Sequence, residues 1–265
     1  MAAGLVAAVL AVAAAAGLAG AAWLGERRLA RTVDVRVVPV PYARDAAAIR
    51  PGKHVFESRG CAECHGSDGR GISVVTAQGI ELHSPNITRG QGGVVSDYNE
   101  GDWVRAIRHG VNPAGHALLF MPSEAYNRMH DGELAALVAY VRSLPPVAGE
   151  SATLALPFEY KVKYGLGLVR DASEKIDHRK PPPLAIAAAP TPEYGAYLAP
   201  LCTACHGPNV GPMAHYDTLA KFVAMMRTGR RPDGSAIDAS MPFLALRNLD
   251  DTELAAMYSY FRPQR

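Results

Sequence analysis

Two five-residue words dominate the chemistry open to this chain: Cys61-Ala62-Glu63-Cys64-His65 and Cys202-Thr203-Ala204-Cys205-His206. They account for all four cysteines among the 265 residues. Side chains three and four apart on a helix share a face, so each word turns two thiols and one imidazole to the same side. That set suits one flat macrocycle: the thiols can form thioethers to the two vinyl groups of a haem, and the imidazole can reach its iron. Zinc is the competing use of two Cys-x-x-Cys pairs, but such pairs normally stand about 15–20 residues apart, and Cys64 and Cys202 are 138 apart. A redox dithiol or a structural disulfide needs no histidine in fifth place and would not explain its recurrence. The expectation is two covalently bound haem c groups, one held by Cys61, Cys64 and His65, the other by Cys202, Cys205 and His206.

The second axial ligand is sought downstream, where a thioether sulfur suits a high-potential electron carrier. Met121-Pro122 and Met241-Pro242 stand in matching frames. Trp103 through Gly115 precedes the first and Phe222 through Gly234 the second, with Arg108 and Arg227, Gly110 and Gly229, Pro113 and Pro232, and Gly115 and Gly234 in corresponding places. From arginine to methionine is 13 residues in one half and 14 in the other, which argues for duplication. The expected iron ligands are therefore His65 with Met121 and His206 with Met241. His206 and Met241 are only 35 residues apart, against 56 for His65 and Met121, so Met213 and His215 stay open as ligands of the second iron. Met129, Met225, Met226 and Met257 sit at helical spacing among apolar residues and read as core. His54, His83, His109, His116, His130 and His178 have no counterpart in the other half and read as solvated or hydrogen-bonded.

The elements that must position these groups are short helices joined by long loops, because alternating strand patterns are scarce and Gly/Pro punctuation is frequent; the fold class is all-α. After each methionine comes an amphipathic helix, with Leu134, Leu137, Val138 and Val141 in one stripe and Leu254, Met257, Tyr258 and Phe261 in the other. Asp250 and Glu253 form a capping box for the second, whereas the first has His130 where a cap would stand. Shorter helical segments precede the haem words over 52–60 and 193–201. Gly52 and Gly195 within them serve either as helix ends or for close approach to Tyr140 and Tyr260.

Residues 1–25 carry no charged side chain and are followed by Glu26, Arg27 and Arg28. As a helix they would span roughly 37 Å, enough for a hydrocarbon core of about 30 Å. They are either a transmembrane anchor or a signal segment, small residues at Gly20 to Ala22 allowing cleavage. The arginines after the stretch would by charge bias place the body in the cytoplasm, but haem attachment of this type happens outside the bacterial cytoplasmic membrane, and that argument is taken as decisive. The expected division is 26–44 linker, 45–146 first haem domain, 147–190 interdomain segment and Pro-rich linker, and 191–265 second haem domain. Leu154 to Val169, with Phe158, Tyr160, Tyr164, Leu166 and Leu168, is a candidate for packing between the domains. The net charge of +2 is scattered, so no nucleic-acid footprint exists.

The order of short helix, Cys-x-x-Cys-His, long loop, Met-Pro and closing helix resembles the class I cytochrome c fold, occurring twice in tandem after the N-terminal helix. The run from Ser84-Pro85-Asn86-Ile87-Thr88 through Trp103 to Phe120-Met121-Pro122-Ser123-Glu124-Ala125-Tyr126 resembles the membrane-anchored cytochrome c subunits that accompany periplasmic dehydrogenases. The likeness covers 45–146 well and 190–265 moderately; such subunits often carry three haems, and this chain has two haem words. It implies a dihaem carrier in the bacterial inner membrane with its haem domains facing the periplasm. Its donor would be a periplasmic or membrane dehydrogenase, or a quinol-oxidising complex. Its acceptor would be a terminal oxidase or soluble cytochrome. With both irons closed by His and Met the chemistry is outer-sphere electron transfer and no residue is catalytic. The alternatives are a dihaem enzyme, such as a peroxidase or thiosulfate-oxidising cytochrome with an open second haem, and an assembly subunit whose haems only stabilise it.

Overall fold

The N-terminal apolar run is one helix, α1 (Ala2–Leu29). Its apolar side chains, Leu5, Val6, Val9, Leu10, Val12 and Leu18 among them, face outward, and it is long and apolar enough to cross a membrane. The computed structural model describes residues 2–75, 78–207, 210 and 216–262. Residues 26–44 are bound rather than free: Val33 N donates to Gly115 O at 2.8 Å, Val35 is buried, and Val40 joins the core of the first haem-word half.

That core is built by α2 (Ala46–Ser58), α4 (Glu100–His109) and α6 (Asp131–Ser143), with the haem word on α3 (Cys61–His65) and a short α5 (Ser123–Tyr126) after Met121-Pro122. Helix starts are written in local polar chemistry. Asp45 caps α2, Asn99 and Asp102 make a capping box on α4, and the His130 ring accepts from Glu133 N to start α6. Phe56, Trp103, Val104, Ile107, Leu134, Leu137 and Val138 interlock between the helices. Where α2 crosses α6 the backbones nearly touch: a Cβ on Gly52 would lie 1.9 Å from Ala136 O and 2.8 Å from Tyr140 Cβ. Glycine is required for the crossing, not for a helix end.

The same order of elements recurs downstream. α9 (Pro192–Leu198), α10 (Pro200–His206) carrying the second word, α11 (Leu219–Thr228), α12 (Phe243–Leu246) and α13 (Asp251–Phe261) follow one another. A Cβ on Gly195 would lie 2.1 Å from Ala256 O and 2.6 Å from Tyr260 Cβ, the counterpart of the Gly52 crossing. Asp250 and Glu253 form the expected capping box on α13. Met225, Met226 and Met257 are buried core, as Met129 is in the first half.

Two features depart from the sequence reading. The chain is predominantly helical but carries a small antiparallel sheet, ordered β1 (Ser73–Val75), β2 (Glu81–His83), β3 (Thr153–Ala155), with Ser73 opposite His83 and Glu81 opposite Ala155. Strands of three residues fall below the length at which alternation is detectable. And α7 (Phe158–Gly165) packs on α1, burying Val162 against Ala21 and Ala22. Arg31 binds Asp171 at 2.6 Å and Arg28 binds Glu174 at 2.6 Å, which fastens α8 (Ala172–Lys175) to the end of α1.

Candidate functional site

The first haem word occupies a single helical turn entered through Gly60, whose φ of 82° is available without strain only to glycine. Cys61 is half-buried on the core, Cys64 is exposed, and both thiols are free. Burial pushes the Cys61 thiol up to about 12. Such a setting opposes the thiolate that zinc or a redox dithiol needs and suits a neutral thioether. His65 Nδ1 lies 3.0 Å from Pro85 O. The carbonyl can only accept, so Nδ1 carries the proton and Nε2 keeps its lone pair for a metal. Burial holds the ring's pKa below its ordinary value, which keeps it neutral.

Pro85 is in place because the next three residues are tied down. Asn86 Nδ2 donates to Val147 O at 2.8 Å and to Gln91 O at 3.2 Å, and Asn86 Oδ1 accepts from Thr88 N. Thr88 Oγ1 exchanges hydrogen bonds with Val147, accepting from its N at 3.1 Å. Asn86 and Thr88 are almost fully buried, so these bonds replace water one for one. Ser84 Oγ donates to Cys64 O and accepts from Ile72 N, pinning the end of α3. Within Ser84 to Thr88, the resemblance pointed to residues whose roles no spacing argument could supply.

Met121 lies on a loop that leaves α4 through Gly110 (φ 65°), turns back by the bridge Val111–Ala117, and packs its side chain on the core. Pro122, with φ −80° and ψ 57°, makes an inverse γ-turn closed by Ser123 N to Met121 O at 2.8 Å. In the second half Gly229 (φ 68°), the bridge Arg230–Ala236, and Pro242 (φ −73°, ψ 61°) with Phe243 N to Met241 O at 2.6 Å reproduce this path. The recurring arginine also has a role. Arg108 binds Asp131 at 2.8 Å and Arg227 binds Asp251 at 2.7 Å, each tying the helix before the Met loop to the first residue of the closing helix.

The first site fits a haem on a further observation. Trp103 Nε1 is buried in the same core cluster as Met121, Cys61 and Ile87 and has no hydrogen-bond partner among the described residues. Such a donor costs free energy unless it is satisfied, and a haem propionate oxygen would satisfy it. The corresponding second-half residue, Phe222, has no donor to offer.

At the second word Cys202 is half-buried, with its thiol pushed up to about 12 by burial; Cys205 and His206 are exposed, and Met241 packs on the second core. Met213 and His215 lie outside the described residues.

The two words are not independent. α3 packs against α12, and α10 against α5, so each haem-word helix touches the helix after the other half's methionine. Glu63, between Cys61 and Cys64, accepts from Ala245 N, and Leu201, next to Cys202, packs on both cores. At the centre Arg59, two residues before Cys61, bridges Glu133 at 2.9 Å and Glu253 at 2.8 Å. Those glutamates occupy the same position of α6 and α13 and are met symmetrically: Glu253 by His54 at 2.9 Å, Glu133 by the Tyr197 hydroxyl. The side chains of Arg59, Glu133 and Glu253 are 5%, 9% and 3% exposed. Burial alone would raise Glu253, but His54 and Arg59 outweigh it and hold the carboxyl down to about 2. Glu253 in turn lifts His54 above its ordinary value. Sequence reasoning named none of these as functional; the matching positions of Glu133 and Glu253 in the repeated closing helix were the available signal.

Comparison with known proteins decides the family of the first half: the family model for Cytochrome c matches residues 49–145. Residues 49–145 are a cytochrome c domain. A cytochrome c domain carries covalently bound haem c and transfers electrons. The chain is 30% identical over 143 residues to the fructose dehydrogenase cytochrome subunit of Gluconobacter japonicus, covering 51% of this chain and 29% of that protein. It is 28% identical over 174 residues to the gluconate 2-dehydrogenase cytochrome c subunit of Pantoea cypripedii, covering 62% and 38%. To the Cbb3-type cytochrome c oxidase subunit CcoP of Helicobacter pylori (strain 52) it is 30% identical over 129 residues, covering 46% and 36%. The matched region thus spans well under half the length of each of these relatives.

Proposed function

We propose that the chain is a dihaem electron carrier, with residues 191–265 forming a second cytochrome c domain, α1 as its membrane anchor, and both haem domains on the periplasmic face of a bacterial inner membrane. His65 and Met121 would hold one iron and His206 and Met241 the other, with thioethers to Cys61, Cys64, Cys202 and Cys205. When bound, the haems supply one-electron exchange between Fe(III) and Fe(II). The chain's own part is to exclude water, fix the imidazole through Pro85, and keep the two attachment words side by side.

The observation that carries the relay is the reciprocal seating of α3 on α12 and α10 on α5. Each word's helix packs against the short helix that follows the other half's methionine, and Arg59 with its two glutamates fixes that orientation. The names of the relatives, cytochrome subunits of sugar-acid or sugar dehydrogenases and of an oxidase, support a dehydrogenase as donor and an oxidase or soluble cytochrome as acceptor.

The test is haem stoichiometry and ligation of the purified chain. Two haems per chain are expected by pyridine haemochrome and by intact mass, with one lost in Cys202→Ser/Cys205→Ser. Met121→Ala and Met241→Ala should each remove about half of the weak ferric sulfur-ligation band, since a low-spin iron loses its thioether in each. A single haem would overturn the dihaem reading. If Met241→Ala leaves the band unchanged, the second iron is open or otherwise ligated, and a dihaem enzyme takes precedence.

A further inference from the structure

The segment 158–168 is assigned no part in electron transfer, yet it exposes three large apolar side chains: Phe158 (55%), Leu166 (57%) and Leu168 (72%). Its position limits what can cover them. α7 crosses α1 backbone to backbone: a Cβ on Gly165 would lie 1.9 Å from Ala21 O, and one on Gly25 would lie 2.2 Å from Lys161 O. The crossing is therefore at Ala21 to Gly25, where the uncharged stretch of α1 ends and Glu26, Arg27 and Arg28 begin. If α1 spans a bilayer, that is the level of the headgroups.

Along α7, Phe158, Val162 and Leu166 follow at intervals of four and so share one face. Val162, in the middle, is buried on Ala21 and Ala22; Phe158 and Leu166 continue its stripe on either side of α1 and stay exposed. Trp23 and Leu24 are exposed on α1 at the same level, with the Arg27 guanidinium 5.0 Å from the Trp23 ring centroid. Polar groups keep elsewhere: Glu159 pairs with Lys163 at 2.5 Å, and Lys161 with Glu26 at 2.6 Å. Apolar and aromatic groups beside a membrane exit, with charges on the remaining faces, make the composition of an interfacial helix.

We propose that α7 and the turn after it form a second, in-plane membrane contact, with Phe158, Leu166 and Leu168 inserted among the lipid headgroups beside the exit of α1. The partner is a lipid surface, because the apolar stripe is continuous with that of the span itself. The contact holds the body at a fixed height and tilt. Arg28 and Arg31 clamp α8 and Tyr164 to α1, and the Tyr160 ring packs 5.8 Å from that of Phe120, the neighbour of Met121. The Met121 loop is thereby set next to the membrane surface.

This inference rests on α1 being a membrane span, and the test separates the two. The photoreactive residue p-benzoylphenylalanine is placed singly at Leu24, Phe158, Leu168 and Leu244, all exposed side chains whose replacement leaves the core intact. The full-length holoprotein is reconstituted in vesicles of phosphatidylethanolamine and phosphatidylglycerol, irradiated, and lipid adducts are counted by mass spectrometry. Adduct yields at 158 and 168 comparable to that at 24, and several-fold above that at 244 on α12, are expected. Adducts at 24 with only the 244 level at 158 and 168 overturn the second contact and leave the span standing. No adduct at 24, or a mature chain lacking α1, removes both. Adducts at 158 and 168 to another protein in native membranes, in place of lipid, overturn the choice of partner.

Discussion

Arg59→Met is the most informative single substitution in the interface between the two halves. Methionine fills similar volume, but Glu133 and Glu253 lose the guanidinium that bridges them, at side-chain exposures of 9% and 3%. Removing one partner of a buried ion pair costs about 3–5 kcal/mol, because the remaining charge stays in a poorly solvated site. At neutral pH the loss should fall in that range, measured by urea unfolding with haem absorbance and far-ultraviolet circular dichroism as separate probes. The deficit must also depend on pH. Glu253 is depressed to about 2 when paired, so in the wild type its contribution is complete above the unfolded carboxylate pKa and is lost only as pH falls through the folded value. Without Arg59 the Glu253 carboxyl rises and takes up a proton more readily, so the deficit should shrink steadily from pH 7 towards pH 5. The triple variant Arg59→Met/Glu133→Gln/Glu253→Gln should recover most of the loss, since no uncompensated charge remains. A cost below about 1 kcal/mol, typical of a surface ion pair, or a deficit unchanged by pH or by the triple variant, would refute the account of this cluster.

Gly52→Ala and Gly195→Ala should each destabilise by about 1–3 kcal/mol or more through overpacking, because the obstructing atoms are backbone carbonyls of Ala136 and Ala256 that cannot rotate away; thermal melts of the two variants check this, and an unchanged melting temperature in either would deny the close crossing. Acid should loosen residues 171–180 from the body. His109 Nδ1 sits 2.9 Å from His178 Nδ1, and burial, followed by His178, Arg108 and Arg105, lowers His109 to about 4. The unfolded chain therefore binds the proton more readily, so stability present above pH 6.5 falls between pH 6.5 and 4, by up to about 1.4 kcal/mol per pH unit. Hydrogen exchange of 171–180 should speed up over that range and lose the dependence in His109→Gln.

The chemistry of the first site was legible because it is local. Cys61, Cys64 and His65 need only one helical turn to come together, and the capping box of Asp250 and Glu253 needs only one more. The frame around Met121 and Met241 was legible as a repeat, although the reason for its arginines, a bond from Arg108 to Asp131 and from Arg227 to Asp251, lay 23 and 24 residues away. Nothing local marks Pro85 as the acceptor for His65, since that bond depends on Asn86 and Thr88 reaching Val147 some 60 residues on. Arg59 follows Phe56 and Val55 by three and four residues, on the buried side of its helix, but nothing near it in sequence marks its partners, and it becomes an interface residue only once α6 and α13 bring Glu133 and Glu253 to it. The segment expected between the domains went instead to α1, because only folding shows that Gly25 and Gly165 leave room for two backbones to touch. Helix-spaced groups and caps were thus determined by the sequence alone, whereas partners separated by tens of residues were decided by packing, where shape and desolvation choose among many chemically similar side chains.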